Sequence, residues 1–350
     1  MTVPLRAACH TKSLDPLTHT LTGLYLGRAG LNRLTPRAAV LLMLASNAPD
    51  IDVVSLAAGP AAALHWHRHF THSFACAPLL ALAVVTLVRV AGRKPLPWVR
   101  AWAAALVAVC SHILLDLTNV YGTRAAFPFS SAWLHWDLTN IFDLWIWTLL
   151  LAALAGPFLG RLVGGEISSG AARAPRHFGQ GWAVAALVLL LLYNGGRAAL
   201  HARAENLLEA RIYEGAEPLR VAAYPGAFNP LAWRGTVQTA GAYYFYDLNV
   251  TADFDPLEAA PVYPADPRPV LAALRAIPEF HEFLDFNQAP LWQSAPAAAF
   301  EGATRLRLTD LRFGLPGRSA FACEAVVTPH YKVVQSQCSF GFGGHAQTSP

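Results

Sequence analysis

Residues Ala38–Ala58 read AAVLLMLASNAPDIDVVSLAA, a run that is apolar except for Ser46, Asn47, Asp50, Asp52 and Ser55. A membrane-spanning helix needs about 20 mostly apolar residues, and this stretch has that length. Its apolar residues speak for lipid, while its two carboxylates, one residue apart and just after Pro49, speak for chemistry. The neighbouring sequence repeats the apolar signal. Phe74–Val88 carries no charge, Trp102–Leu115 encloses only His112, Asp143–Leu159 is rich in Leu and Trp, and Trp182–Tyr193 is almost wholly Ala, Val and Leu. A surface helix of a soluble protein would show a polar stripe, and several of these runs show none. Leu17–Leu31 is weaker and amphipathic, so it either spans or lies in the interface. The reading is five firm spans and one doubtful one.

Composition agrees. Of 350 residues, 54% are hydrophobic and 14% charged, against roughly 25% charged in soluble domains, and the mean hydropathy is +0.34. The net charge of +4 is spread over scattered arginines. No basic tract of the kind a nucleic-acid groove needs is present, so nucleic acid is not an expected partner. The first sixteen residues hold Arg6, His10, Lys12 and Asp15, without the apolar centre of a cleavable signal peptide, so none is expected.

Loop charges suggest an orientation. Arg28, Arg33 and Arg37 precede the first firm span. Arg89, Arg93, Lys94 and Arg100 lie between the second and third, and Arg161, Arg173 and Arg176 between the fourth and fifth. All fall on one side of an alternating topology, which the positive-inside rule makes cytoplasmic. The chain after Gly196 is then outside, in a bacterium the periplasm.

Acidic residues divide the chain. Seven lie before residue 200 and fifteen after it. His201–Tyr213 looks like a polar connecting helix. Beyond it, short β-type runs such as Gly235–Thr239, Ala242–Val250, Arg305–Phe313 and Ala320–Val327 alternate with Pro and Gly, the pattern of a small, largely β domain with one helix near Pro269–Ala276. The expected architecture is a helical polytopic membrane domain over 1–200 and a mainly β (α+β) extramembrane domain over 201–350. Cys76 and Cys110 read as packing residues. A hairpin turning at His330–Tyr331 would bring Cys323 opposite Cys338, where an oxidising compartment would let them bridge. Two ordinary buried cysteines are the equal alternative.

Ionisable groups inside apolar spans are expensive, and here they come in five short clusters. Asp15-Pro-Leu-Thr-His19 reads as a helix start, with Asp15 as N-cap and Pro16 in the first turn. An interfacial role for His19 is the ordinary alternative. Asp50 and Asp52 would repel each other unless a cation lies between them, or else they are solvated loop residues. His65-Trp-His-Arg-His-Phe-Thr-His-Ser73 packs four histidines into eight residues, directly before an apolar run. His112 and Asp116 lie four apart on one helical face, as co-ligands, as a ligand and its orienting partner, or as a buried hydrogen-bonded pair. His135 reads as an interfacial residue, and Asp137 and Asp143 stay open between site and interface. Mixed imidazole and carboxylate ligands without cysteine suit Zn²⁺, Mn²⁺ or Fe. At least six candidates leave room for one or two ions, and a metal-activated water is hydrolytic chemistry.

In that order, Asp15-Pro-Leu-Thr-His19, Pro49-Asp-Ile-Asp52, His67-Arg-His-Phe-Thr-His-Ser73 and His112-Ile-Leu-Leu-Asp116 resemble the motifs of the YdjM/YbcI-type inner-membrane metal-dependent hydrolases. Gly122-Thr123 and Pro128 extend the likeness. One departure is His69, where that family commonly has a small residue. The resemblance implies a bacterial inner-membrane protein with His19, Asp50, Asp52, His72, His112 and Asp116 as metal ligands, Zn foremost. Beside them, His67 is assigned as a general acid or base, Arg68 as a stabiliser of a developing anion, and Asp52 as part of the same catalytic group. The expected function is a membrane-bound metal-dependent hydrolase acting near the outer face on phosphoester, ester or amide bonds of lipid or envelope substrates. A non-enzymatic metal-binding or transport protein is one alternative, and a membrane-tethered partner-binding module is the other.

Overall fold

The computed structural model describes residues 15–92, 95–167, 179–298, 300–341 and 345–348. Arg6, His10, Lys12, Arg93, Lys94, Arg173 and Arg176 of the orientation and leader readings lie outside these residues.

The first part of the chain is helical: α1 (Pro16–Ala29), α2 (Ala38–Ala45), a 3-10 segment at Pro49–Ala58, α3 (Pro60–Trp66), a 3-10 turn at Phe70–His72, α4 (Ala77–Ala91), α5 (Trp98–Thr118), α6 (Leu144–Ile167) and α7 (Gln180–Glu209). The sequence signals at the start of α1 operate as read. The Asp15 carboxylate accepts from the Thr18 backbone N–H at 3.2 Å, and Pro16 opens the helix. With 14 residues α1 is shorter than a span. It packs against α2, α5, α6 and α7 and so forms the central strut of the helical region. Small residues allow this. A Cβ on Gly23 would run into the Leu42 carbonyl of α2 and the hydroxyl of Ser46 at its C-terminal end, the close approach that small residues at helix crossings permit. The α2–α4–α5 contact is likewise alanine-rich, with Ala45, Ala77, Ala81, Ala101, Ala104 and Ala108 in its core.

Two described helices, α5 and α7, are long and apolar enough to cross a membrane. The count rises to four if each of two bent pairs makes one span: α2 with Pro49–Ala58, bent by 47°, and Pro60–His72 with α4, bent by 86°. The five or six spans expected from hydropathy are therefore not all present as straight helices. Pro49 and the polar residues around it break the Ala38–Ala58 run, and the histidine-rich stretch turns the chain before α4. The described apolar part of α6, Leu144–Pro157, is shorter than a span.

The rest is mainly β. A three-stranded antiparallel sheet has the order β1 (Arg220–Pro225), β2 (Ala232–Gln238), β3 (Tyr243–Asn249). Two short helices follow, α8 (Leu271–Arg275) and α9 (Pro278–Phe286). The second sheet runs β4 (Pro290–Pro296), β5 (Thr304–Asp310), β6 (Phe321–Val327), β7 (Val333–Phe340), β8 (His345–Thr348). The β6–β7 register pairs Cys323 with Cys338, and the two form a disulfide. The expected polar connecting helix at His201–Tyr213 is not separate. α7 continues unbroken to Glu209, and Tyr213 lies beyond it, bridged to Ala216.

Two apolar cores are among the features that join the helical and β parts. Ala204 and Leu208 of α7 sit in one core with Trp233, Val237 and Leu248. The loop after α5 inserts Tyr121 and Trp133 into a second core, with Phe286, Phe321 and Phe340. The β region thus packs on the loop that leaves the Asp116 end of α5.

Candidate metal centre

Four side chains from three stretches of chain meet where α5 ends. Asp50, His72, His112 and Asp116 each present one ligand-type atom, all within 4.8 Å of one another. Each arrives by a local rule. His112 and Asp116 are one turn apart on α5, with Nε2 and Oδ2 separated by 3.4 Å. Asp50 opens the 3-10 segment begun by Pro49. Three residues per turn point Asp50 and Asp52 in different directions, so the pair divides its work. His72 closes the 3-10 turn Phe70–His72 and is fully buried.

Hydrogen bonding fixes which imidazole nitrogens face the centre. His112 Nδ1 lies 2.7 Å from the Ser46 carbonyl, which only accepts, so the proton sits on Nδ1. His72 Nδ1 lies 3.1 Å from the Asp52 carboxylate and 3.1 Å from the Thr71 hydroxyl, which itself donates to Asp52. It too carries its proton there. In the neutral rings that a metal requires, both Nε2 atoms are then bare, and they face each other at 3.1 Å. Asp50 Oδ1 stands 3.5 Å from one and 3.6 Å from the other. Asp116 Oδ2, 3.3 Å from His72 Nε2, is buried without a hydrogen-bond donor among the described residues. Lone pairs and carboxylates converging in a dry place repel unless a cation lies between them. Charge says the same: of the carboxylates of Asp50, Asp52 and Asp116, only that of Asp116 has a guanidinium within ion-pair distance among the described residues, that of Arg68, an excess a divalent ion would balance. Two imidazoles and two carboxylates are a donor set for Zn, Mn or Fe.

Around this centre stands an orienting layer. Both Asp52 oxygens are occupied, one by His67 Nδ1 at 3.0 Å, the other by the Arg68 backbone N–H at 2.8 Å, Thr71 at 2.9 Å and His72. Asp52 is therefore placed to hold His72 in its tautomer, outside the four converging residues. Arg68, buried and left-handed at φ 57°, reaches behind the centre. Its Nη2 lies 3.0 Å from Asp116, and its Nη1 donates to Asn119 Oδ1 at 3.0 Å. His19 stacks on His112 with ring centroids 3.8 Å apart, and its Nε2 lies 3.5 Å from Asp116 Oδ1. Its buried Nδ1 has no hydrogen-bond partner among the described residues.

This constellation lies wholly inside residues 14–204, the segment matched by the family model described as YdjM inner membrane protein. The chain belongs to that family. The protein YfhP of Bacillus subtilis (strain 168), described as uncharacterized, is 27% identical over 321 residues, covering 88% of this chain and 89% of YfhP. That likeness necessarily reaches past residue 204, into the β region that the YdjM match leaves out. No solved structure is significantly similar.

Not all the histidines of this YdjM family member join the centre. His65 pairs with Glu282 of α9 at 2.7 Å. His69 rests against Phe127, with ring centroids 4.5 Å apart. His135 pairs with Asp137 at 2.9 Å. Asp143 caps α6 through the Trp145 and Ile146 N–H groups and accepts from the Tyr193 hydroxyl. Sequence reasoning missed Ser46, Thr71 and Asn119. Asn119 accepts from Arg68 and from the Tyr121 and Gly122 N–H groups, and donates to Asp116 at 3.3 Å. An Asn at a helix end three residues before a Gly is a turn signal, and it was available to find it.

Proposed function

We propose that this protein is a membrane-bound, metal-dependent hydrolase whose centre is Asp50, His72, His112 and Asp116, with His19 at its flank. The observation that carries the reading is the pair of facing Nε2 atoms between a buried carboxylate, Asp116, and a partly buried one, Asp50. One divalent ion, Zn first and Mn or Fe next, or two such ions if His19 also ligates, fits this donor set. When bound it supplies a Lewis acid and an activated water at neutral pH. The chain's own residues do the rest. Asp52 orients His72 on one oxygen and His67 on the other, which sets His67 up as a carboxylate-supported general acid or base. Arg68 holds Asp116 through Nη2. Its Nε, buried without an acceptor among the described residues, is the donor left for a developing anion. A phosphoester is the preferred bond class because a guanidinium stands beside the imidazoles; esters and amides of lipid or envelope substrates follow.

The family description and the apolar helices support a membrane location. The finer reading is a bacterial inner-membrane protein with up to five or six passes, a membrane domain over 1–200 and a periplasmic β domain over 201–350. Detergent-purified, metal-loaded protein is expected to hydrolyse members of a panel of lipid phosphoesters and esters, and His72→Ala to abolish the turnover. Metal-loaded protein that turns over none of the panel contradicts the enzyme reading. Metal uptake by proteoliposomes would favour transport instead.

A further inference from the structure

Beside the metal centre lies a second, larger space. A cavity of about 640 Å³ opens between the start of α6, the β1–β2 turn and the 3-10 segment after β5. Its size is that of a small-molecule site. Phe142, Trp147, Phe228 and Phe313 make it aromatic and apolar. It shares Asn140 and Ile141 with a narrow polar cleft walled by His19 and Asp116, on the flank of the centre. Its rim is apolar and open: Leu144 and Trp145, at the head of the apolar helix α6, are half exposed, and Phe228 is 75% exposed. Trp145 Nε1 donates to the Phe228 carbonyl at 2.8 Å, tying the β1–β2 turn to the helix end.

The charged groups of the cavity are two arginines of unequal standing. Arg312 is neutralised by Asp310 at 2.7 Å. Arg234 has no carboxylate within ion-pair distance among the described residues. Its Nη2 donates to the Leu311 and Arg312 carbonyls, and its buried Nε has no acceptor among the described residues. Asp247, its neighbour across the β2–β3 ladder, is exposed. An aromatic slot beside an apolar helix end, with one uncompensated guanidinium within, is complementary to an anionic amphiphile.

We propose that this cavity is the substrate-binding site and that its occupant is an anionic phospholipid drawn from the surrounding bilayer. The acyl chain lies among Phe142, Trp147, Phe228 and Phe313, the headgroup charge meets Arg234, and the polar end approaches His19 and Asp116 past Asn140. The inference rests on the hydrolase reading for the consequence of binding, and not for binding itself.

The test uses the full-length, metal-loaded protein in nanodiscs containing phosphatidylglycerol with a diazirine-bearing acyl chain, or the same probe built on phosphatidylcholine. Cross-linked residues are mapped by mass spectrometry, and metal is measured on the same samples. Labelling is expected at Phe142–Trp147 and at Ala227–Phe228, stronger for phosphatidylglycerol. Ala227→Trp, which fills the cavity from its exposed rim, should remove that labelling with the metal retained. Arg234→Gln should reduce the preference for the anionic lipid by about ten-fold, the size of one charge-assisted hydrogen bond. Labelling confined to the outward faces of α4 and α7, or unchanged by Ala227→Trp, overturns the site. Equal labelling by both lipids overturns the anionic occupant. Absent metal with labelling intact would overturn the hydrolase reading and leave the cavity standing.

Discussion

Asp50 and Asp52 look equivalent in the sequence, two acids one residue apart, and they are not. The 3-10 geometry sends Asp50 toward His72 and His112 and turns Asp52 to the far side of His72, where it orients the ring. Loss of such an outer partner typically lowers metal affinity 10–100-fold. Asp52→Asn is therefore expected to weaken metal binding by about that factor without abolishing it, and His72→Ala to abolish it, as read by competition with a chromophoric chelator. Equal loss in both variants would make Asp52 a ligand. Residue types and helical spacing made His112 and Asp116 legible as a pair. What spacing could not reveal was tautomer: the proton positions of His72 and His112 depend on Thr71, Asp52 and the Ser46 carbonyl, which converge from distant segments. Nor could it separate His72 from His69, three residues away, which the chain turns against Phe127.

Among the elements, the β6–β7 hairpin was legible as two β-type runs around a turn, while its register was an assumption, with two unbridged cysteines as the equal alternative. The expected pairing of Cys323 with Cys338 holds from Phe321↔Phe340 through Val326↔Gln335, and a bulge then shifts Val327 to Val333. Closing 15 residues of chain is worth about 3 kcal/mol in the loop-entropy account. Cys338→Ser should accordingly lower the unfolding temperature of the β region, and reductant should lower the wild type to match; a variant as stable as wild type would assign the bond no such role. β1 and β4 escaped notice for a physical reason. Both are edge strands that carry proline, which interrupts the strand pattern and is tolerated only at edges. Hydropathy counts more spans than the two to four that the described helices offer, since it sums apolar residues without registering a 47° or 86° bend.

Across the whole molecule, two buried arginines clamp one loop from opposite sides. From the helical part, Arg68 donates to Asn119 and Gly122; from the β part, Arg312 donates to the Val120 and Tyr121 carbonyls. Burial works against the charge on Arg312, but Asp310 more than offsets it and holds the guanidinium above its usual pKa. Arg68 continues from this loop to Asp116, so the β region supports the geometry of the metal centre. Breaking a buried pair by removing one partner costs roughly 3–5 kcal/mol. Arg312→Met should destabilise by about that amount, and adding Asp310→Leu should recover much of it, in denaturant unfolding of the detergent-solubilised protein. If the double variant is as unstable as the single, the loop contacts and not the charge pair carry the energy. The division into an apolar helical part and a β part was visible in composition. The clamp was not, because Arg312 and Tyr121 are far apart in the chain and only tertiary packing brings them together.

The central claim is that Asp50, His72, His112 and Asp116 share a cation. Metal analysis of detergent-purified protein by mass spectrometry, wild type beside His72→Ala and Asp116→Asn, tests it most directly. About one or two tightly held divalent ions per wild-type chain, the number a one- or two-metal site holds, and a loss of at least one in each variant is the predicted result. Wild-type protein that retains no divalent ion after exposure to zinc, manganese and iron, or variants that retain as much as wild type, would contradict it.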